Sequence, residues 1–209
     1  MPRRAASGTR PDWKRLQEIA SGQAGYFTAR EARDVGFSLP LLQHHLDAGR
    51  VERAQRGVFR LSSFPPTDNE GLVPAWLWSR REGTFSHETA LALHQLSDAM
   101  PATIWVTVPT AWKKRRLQIP RNLLLQYADL ADDEREWKGP VRVTTPLRTI
   151  VDCAAASVAE ELVEQAIRQA IRRGDFTRQA LRQTLRRAAE ARTDGTGQIS
   201  FSRGVSNGT

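Results

Sequence analysis

The sequence contains very few residues of the kinds that form disulfides, metal sites or catalytic clusters. Cys153 is the only cysteine among 209 residues, which excludes an internal disulfide, favours a reducing cytoplasmic compartment and is typical of a small buried thiol. Glycine-rich phosphate loops, paired carboxylates and zinc-ligand spacings are also missing. These absences predict a protein that is not an enzyme and that needs no cofactor and no metal.

Long hydrophobic runs are missing as well. No apolar stretch approaches the roughly 18 residues needed for a transmembrane helix, and the basic N-terminus is not followed by the apolar segment of a secretory signal. Hydrophobic residues make up 40% and charged residues 26% of the chain, values typical of a soluble globular protein. We therefore predict no membrane partner.

The positive charge is carried almost entirely by arginine and is unevenly distributed. The formal net charge is +8, and only four of the 31 basic residues are lysines. Residues 1–63 hold eleven basic against six acidic residues, residues 64–158 hold eleven against eleven, and residues 159–209 hold nine against six. Most of the excess therefore lies in the N-terminal part, where it favours attraction to a polyanion.

Three short helices are predicted near the N-terminus, after a flexible basic arm over residues 1–11. The first helix fits Asp12–Ala20. Thr28-Ala29-Arg30-Glu31 is a capping box that opens the second helix, and Ser38 caps the third, which runs from about Leu39 to Ala48. Two short helices joined by a tight turn are typical of a helix-turn-helix. The predicted apolar side of the third helix consists of Leu39, Leu42 and Leu46.

Two strands with a tight turn follow the helices. Val51-Glu52-Arg53 and Val58-Phe59-Arg60-Leu61 have strand character, and Gln55-Arg56-Gly57 between them is a hairpin tip with glycine where φ is expected to be positive. Helices followed by such a hairpin indicate a winged helix. We therefore predict a winged helix-turn-helix DNA-binding domain over residues 12–62.

A larger α+β domain is predicted over residues 69–190. Thr103–Val108 is a β-strand because its β-branched and aromatic residues are bounded by prolines, and residues 123–127 and 141–144 complete a small sheet. Residues 191–209 contain almost no core-forming residues and are predicted to be disordered. The expected fold class is α+β, with a winged helix-turn-helix followed by a domain that has a small sheet and C-terminal helices. The helices of this domain are predicted at 69–81, 86–95, 145–156, 159–173 and from residue 177 onward.

The third helix and its surroundings hold the predicted DNA contacts. In a helix-turn-helix the second helix of the motif enters the major groove, and its first turns reach base edges. Gln43 is suited to adenine and His44 to a guanine acceptor, while nearby arginines suit phosphates or the minor groove. A winged helix used only for protein contacts is the alternative, which an outward-facing Leu41 would favour. The predicted DNA-binding residues are Arg30, Arg33, Gln43, His44, Arg50, Arg53 and Arg56.

The densest run of charge follows the strand at 103–108 and is expected on an exposed loop. It is a candidate secondary contact with nucleic acid or with an acidic partner, and a solvated loop is an equal alternative. Its members are Trp112, Lys113, Lys114, Arg115 and Arg116.

Ser86, His87 and Glu88 are residue types that a hydrolase uses, and they are adjacent in the sequence. Neighbouring residues of a helix do not face one another, so we interpret Ser86 as a helix N-cap and rank a hydrolase last. His87 and His94 can share a helix face, but no further ligand stands at metal spacing. No catalytic residue is therefore assigned.

The last strand of the winged helix and three segments that follow it resemble a known family in their order and spacing. The resemblance is to the AbiEi-like antitoxins of type IV toxin–antitoxin systems, and it covers roughly residues 12–190. The four segments are Gly-Val-Phe-Arg-Leu at 57–61, Phe-Ser-His-Glu-Thr-Ala-Leu-Ala-Leu-His at 85–94, Ile-Trp-Val-Thr-Val-Pro at 104–109 and Val-Thr-Thr-Pro-Leu-Arg-Thr-Ile-Val-Asp at 143–152.

The resemblance implies a two-domain bacterial regulator without catalytic chemistry. Its winged helix would bind double-stranded DNA at inverted repeats in its own promoter and repress transcription, and its second domain would counter a nucleotidyltransferase-like toxin. An orphan regulator, or a protein-interaction module without a toxin partner, is the alternative, and the oligomeric state is left open. Capping and packing roles are expected at the matching positions Ser86, His87, Thr149 and Asp152.

Overall fold

A computed structural model describes residues 10–65, 71–193 and 201–203 of the chain. The chain divides into two compact units, Met1–Arg81 and Glu82–Thr209. Helices and sheets occur in both units, so the α+β class is confirmed. The arm predicted over residues 1–11 lies outside the described residues except for its last two positions.

The helices of the N-terminal unit begin where the capping signals place them. Arg15 N donates to the Asp12 carboxylate at 2.9 Å. Thr28 and Glu31 form the predicted capping box, and Ser38 Oγ accepts from Leu41 N at 3.3 Å. The elements of this part are α1 (Trp13–Ser21), β1 (Tyr26–Thr28), α2 (Ala29–Asp34) and α3 (Leu39–Asp47).

A three-stranded antiparallel sheet completes the winged helix. Strands β2 (Val51–Gln55) and β3 (Val58–Leu61) form the predicted hairpin, and β1 pairs with the other side of β3. Gly57 lies at the tip with φ of +77°, a backbone conformation that residues other than glycine rarely adopt. The winged-helix topology is therefore present, and β1 is an addition that the sequence pattern did not indicate.

Helix α4 (Leu72–Trp78) belongs to the N-terminal compact unit. It contacts β1 and β3, and Gln55 Nε2 donates to the Pro74 carbonyl at 2.6 Å. The sequence-based boundary, which starts the second domain at residue 69, thus differs from the division at residue 81. The sequence pattern indicates helix α4, but it does not indicate the strands against which this helix packs.

The core of the N-terminal unit lies between its three first helices and the sheet. Leu16, Phe27 and Leu61 are fully buried in it. The predicted inner side of α3 is partly wrong, because Leu39 is 61% exposed whereas Leu41 packs against this core. Leu41 therefore does not offer the exposed protein contact that it was expected to favour.

The C-terminal unit is built on a mixed six-stranded sheet, which is larger than the predicted one. The strand order is β7-β8-β4-β5-β6-β9, with β4–β8 and β5–β6 parallel and the other neighbours antiparallel. The prediction of disorder over 191–209 is wrong for residues 191–193, which continue the last helix, and for β9; residues 194–200 and 204–209 lie outside the described residues. The strands are β4 (Thr84–Phe85), β5 (Ile104–Val108), β6 (Leu123–Tyr127), β7 (Arg135–Lys138), β8 (Val141–Thr144) and β9 (Phe201–Arg203).

Four helices of the C-terminal unit share one apolar cluster. Leu91, Ile150, Cys153 and Ala166 are fully buried in it. Burial raises the pKa of the Cys153 thiol, so the side chain is an inert core residue, consistent with the sequence interpretation. The helices are α5 (His87–His94), α6 (Pro146–Ala155), α7 (Glu160–Arg173) and α8 (Arg178–Thr193).

Candidate nucleic-acid interface

Helix α3 is attached to the N-terminal unit along one side only. Leu42 is 2% exposed and anchors that side, with Leu41 and Leu46 packed beside it. Gln43 and His44 are exposed on the rest of the helix surface. The helix therefore presents polar side chains to solvent while its other side is held by the core, as docking in a DNA groove requires.

The predicted arginines lie on the elements that flank α3. Helix α3 contacts both α2, which precedes it, and β2, which follows it. The wing brings further guanidinium groups to the surface at its strands and its tip. All seven predicted DNA-binding side chains are exposed, namely those of Arg30, Arg33, Gln43, His44, Arg50, Arg53 and Arg56.

Two of the candidate base-reading side chains have intramolecular partners. Gln43 Nε2 donates to Asp47 Oδ1 at 2.8 Å, so paired hydrogen bonds to adenine require the amide to exchange this exposed partner. Arg50 Nη2 lies 3.3 Å from His44 Nε2. Because a guanidinium only donates, Nε2 accepts and the His44 Nδ1–H is left to donate.

His45 holds the orientation of α3 and was not singled out from the sequence. Its ring lies 4.9 Å from the Trp13 ring and 5.6 Å from the Phe37 ring. Burial lowers its pKa, and the neighbouring Arg50 and His44 lower it further. The His45 ring, packed between Trp13 of α1 and Phe37 in the turn before α3, holds the inner side of α3 against the core.

The first turn of α3 contributes an apolar contact that the sequence analysis placed in the core. Leu39 and Pro40 are exposed there, at the end of the helix that reaches base edges in helix-turn-helix proteins. Leu39 precedes Gln43 by four residues, so both lie on one side of the helix. This spacing is the sequence signal from which the exposure of Leu39 beside Gln43 follows. An exposed aliphatic side chain at this position suits a thymine methyl group.

The predicted secondary contact is only partly exposed. Residues Thr110–Lys114 form a 3₁₀-helix, and Trp112 is buried with its Nε1 donating to Glu82 Oε2 at 2.6 Å. Arg115 stacks over the Trp112 ring at 4.3 Å and lies 3.7 Å from Glu82. The expectation of an exposed loop is therefore wrong for Trp112. The other four residues of the run, Lys113, Lys114, Arg115 and Arg116, are exposed as expected.

Ser86 and His87 contact each other, contrary to the expectation for neighbouring helix residues. The Ser86 hydroxyl forms no capping bond; it accepts from Thr107 Oγ1 at 2.8 Å and lies 2.9 Å from His87 Nδ1. The reason is that His87 has φ of +53°, which turns its ring back toward Ser86. His87 is 1% exposed and stacks on Trp105 at 4.3 Å. Burial, with a smaller effect of Arg148, lowers its pKa to about 4.

A partly buried ionic group is centred on Arg148 of α6. Arg148 donates to Asp152 Oδ1 at 2.8 Å and to Glu134 Oε1 at 2.6 Å. Burial raises the pKa of Asp152 to about 6, although Arg148 opposes the rise. The nearby Thr149 hydroxyl donates to the Thr144 carbonyl at 3.0 Å. These side chains tie α6 to the sheet and to the segment before β7, with Asp152 and Thr149 buried and Arg148 and Glu134 partly exposed.

Two further properties concern residues 10–65, 71–193 and 201–203, which are the part of the chain that the structure describes. Within these ranges no group of three or more His, Cys, Asp or Glu side chains is arranged to hold a metal ion. No helix in the same ranges is long and apolar enough to cross a membrane.

Comparison with known proteins identifies the same N-terminal segment. Residues 14–62 match the family model described as transcriptional regulator, AbiEi antitoxin. The resemblance to the AbiEi antitoxins is confirmed over this segment. The match covers α1 through the wing, including the exposed side of α3, so this segment is similar to the regulator domain of AbiEi antitoxins. No curated protein matches the chain, and the resemblance beyond residue 62 stays a prediction.

Proposed function

We propose that the protein is a transcriptional autorepressor and the antitoxin of a type IV toxin–antitoxin system. Its α3 and wing bind double-stranded DNA at inverted repeats in its own promoter, and its C-terminal unit counters a nucleotidyltransferase-like toxin. The supporting observation is the exposed polar side of α3, flanked by arginines, within the segment similar to AbiEi antitoxin regulators.

The side chains divide into base contacts and phosphate contacts. Leu39, Gln43 and His44 lie on the part of α3 that faces solvent, so they read base edges. The arginines of α2 and the wing bind phosphates, which fix the position of the protein on the duplex but carry no sequence information. The phosphate contacts are Arg30, Arg33, Arg50, Arg53 and Arg56.

Fluorescence anisotropy tests the DNA-binding part of the proposal. The full chain is titrated into a labelled duplex from the region upstream of its own gene, with a shuffled duplex of equal length as control. Five phosphate contacts predict a slope of log affinity against log salt of roughly −4 to −5, or a loss of several hundred-fold between about 50 and 200 mM salt. Equal affinity for both duplexes at every salt concentration would contradict specific binding.

A growth assay tests the antitoxin part separately. A nucleotidyltransferase-like protein encoded beside this gene is expressed alone and together with the full chain, and co-expression is expected to restore growth. The double variant Arg50→Ala/Arg56→Ala is expected to lose DNA binding and to retain rescue, since the rescue belongs to the C-terminal unit. Absence of rescue by the wild-type chain would leave an orphan regulator, which is the alternative function.

A further inference from the structure

Helices α7 and α8 enclose a groove of about 490 Å³ that is apolar at its floor and basic at its rim. We propose that this groove binds an acidic, amphipathic helical segment of a partner protein. The proposal does not depend on DNA binding by α3, because it concerns side chains of the C-terminal unit alone. The floor consists of Ile167, Ile171 and Leu181, and the rim of Arg168, Arg172, Arg178 and Arg182.

The floor is a preformed aliphatic surface. Leu181 is 7% exposed and belongs to the apolar cluster of the C-terminal unit, and Ile167 packs against that cluster. Ile171, one helical turn beyond Ile167, is half-buried. A floor held by the core keeps its shape without a ligand, so the groove is available before a partner binds.

The rim carries a concentration of positive charge that the chain does not neutralise locally. None of the described residues that line the groove is acidic, and four of the seven are arginines. Arg168 pairs with Glu164 at 3.1 Å, but both side chains are more than half exposed, so this pair contributes little. Arg172 donates to Gln169, a neutral amide.

Arg173 shows how an arginine with a structural role differs from those of the rim. It lies beside Arg172 on α7, and its guanidinium donates to the His94 carbonyl at 2.6 Å and to the Gln95 carbonyl at 2.8 Å. These bonds tie the end of α7 to the end of α5. The rim arginines form no such ties between elements in the contacts that the structure describes, so a charged partner can bind them without unfolding the unit.

The combination of floor and rim selects the class of ligand. A nucleic acid would pair with the guanidinium groups but leave the aliphatic floor in water, and a neutral apolar helix would fill the floor but desolvate the rim. A helix with leucines at i, i+3, i+4 and i+7 and carboxylates on both flanks satisfies both surfaces. The chain's own residues 194–209 contain one acidic and one basic residue, so their charge does not complement the rim.

Fluorescence anisotropy with a designed peptide tests the proposal on the full chain. The probe is a labelled helical peptide of about 15 residues with leucines at that spacing and flanking glutamates, and its control has lysine in place of each glutamate. We expect the glutamate peptide to bind at least about tenfold more tightly than the lysine peptide, with affinity that falls as salt rises.

Charge reversal on α8 and α7 locates the binding. The double variant Arg172→Glu/Arg182→Glu is expected to lose at least about tenfold in affinity for the glutamate peptide. The matched variant Arg186→Glu/Arg187→Glu changes two exposed arginines of α8 that do not line the groove, and its affinity is expected to stay within about twofold of the wild-type value. Ile171→Gln should weaken binding while circular dichroism shows an unchanged fold.

Three results would overturn the proposal. The first is equal binding of the glutamate and lysine peptides, and the second is an equal loss in the two double variants. The third is a groove that serves another ligand: a single-stranded oligonucleotide that loses affinity in Arg172→Glu/Arg182→Glu while the peptide does not bind, or self-association in sedimentation that this variant abolishes.

Discussion

The two units place similar polar side chains in opposite environments. In the N-terminal unit His44 and its neighbouring arginines are exposed on α3 and the wing. In the C-terminal unit His87 and Asp152 are buried and bound to other side chains. Residue type alone therefore does not distinguish a contact surface from a structural network. Burial in the C-terminal unit indicates a role in stability, whereas exposure in the N-terminal unit leaves the same residue types available to a ligand.

Loss of the half-buried Arg148, which pairs with the buried Asp152, should have the largest effect on stability. Arg148→Met removes the positive partner of Asp152 and Glu134 and leaves carboxylates without compensation. We expect a loss of about 3 kcal/mol or more in the free energy of unfolding, measured with urea. Arg168→Met, on the exposed surface of α7, serves as control and should change stability by no more than about 0.5 kcal/mol. Equal losses would show that burial does not separate the two roles.

The acid sensitivity of the fold should depend on His87. The pKa of His87 is about 4 in the folded chain against an ordinary 6.5. Between these two pH values the His87 imidazole is therefore protonated in the unfolded chain and neutral in the folded chain. The stability that neutral His87 contributes is present above pH 6.5 and is lost toward pH 4, by up to about 3 kcal/mol. The difference in unfolding free energy between wild type and His87→Gln should therefore shrink as the pH falls from 6.5 to 4. A difference that is constant with pH would refute the assignment.

Asp152 should show the opposite trend with a smaller amplitude. Its pKa of about 6 lies above the ordinary 3.8, so the folded chain holds a proton that the unfolded chain releases between these values. The contribution of Asp152 is present below pH 3.8 and is lost as the pH rises through 6. Relative to Asp152→Asn, wild type should therefore gain stability on acidification, and urea titrations at several pH values would show it. The same sign for both variants would contradict the assignments.

Removal of a wing arginine should affect DNA affinity and leave the fold intact. Arg56 is exposed at the hairpin tip, and Arg56→Ala should weaken binding by about tenfold across sequences and reduce the salt slope by about one. Arg186→Ala, which removes an exposed arginine of α8, is the control for overall charge. If both variants bind alike, the wing does not contact the phosphates.

The smallest expected effect concerns the exposed leucine of α3. Leu39→Ala should leave the unfolding free energy nearly unchanged, because the side chain is 61% exposed. It should cost about 1 kcal/mol of affinity for a duplex with thymine at the contacted position and nothing where uracil removes the methyl group. Competition titrations with the two duplexes measure the difference. Loss of stability instead would place Leu39 in the core after all.

Local signals predicted the N-terminal unit well because its helix ends are determined by neighbouring residues. The capping box at Thr28, the cap at Ser38 and the positive φ of Gly57 are all present. Each depends on contacts within about three residues along the chain, so a sequence pattern contains the necessary information. The exposure of the seven candidate DNA contacts followed from the same pattern.

Features that depend on distant contacts were missed. Strands β1, β4 and β7 are two to four residues long, too short to show alternation, and they form because other strands pair with them. His87, with its left-handed φ, stacks on Trp105, and buried Trp112 donates to Glu82. In both cases the partner is distant along the chain, so no local pattern indicates the contact. The sequence does not show which side of α3 faces the core, because leucines occur on two of its sides. The contact of α3 with α1 determines the buried side.

Photo-crosslinking from α3 tests the DNA interface most directly. A photoreactive benzoylphenylalanine replaces exposed Gln43 in the full chain, and a second variant carries it at exposed Leu185 of α8. With the upstream duplex, the probe at position 43 is predicted to crosslink to bases within the bound site, and the probe at position 185 is not. Retained DNA binding with crosslinks from position 185 and none from position 43 would contradict the interface.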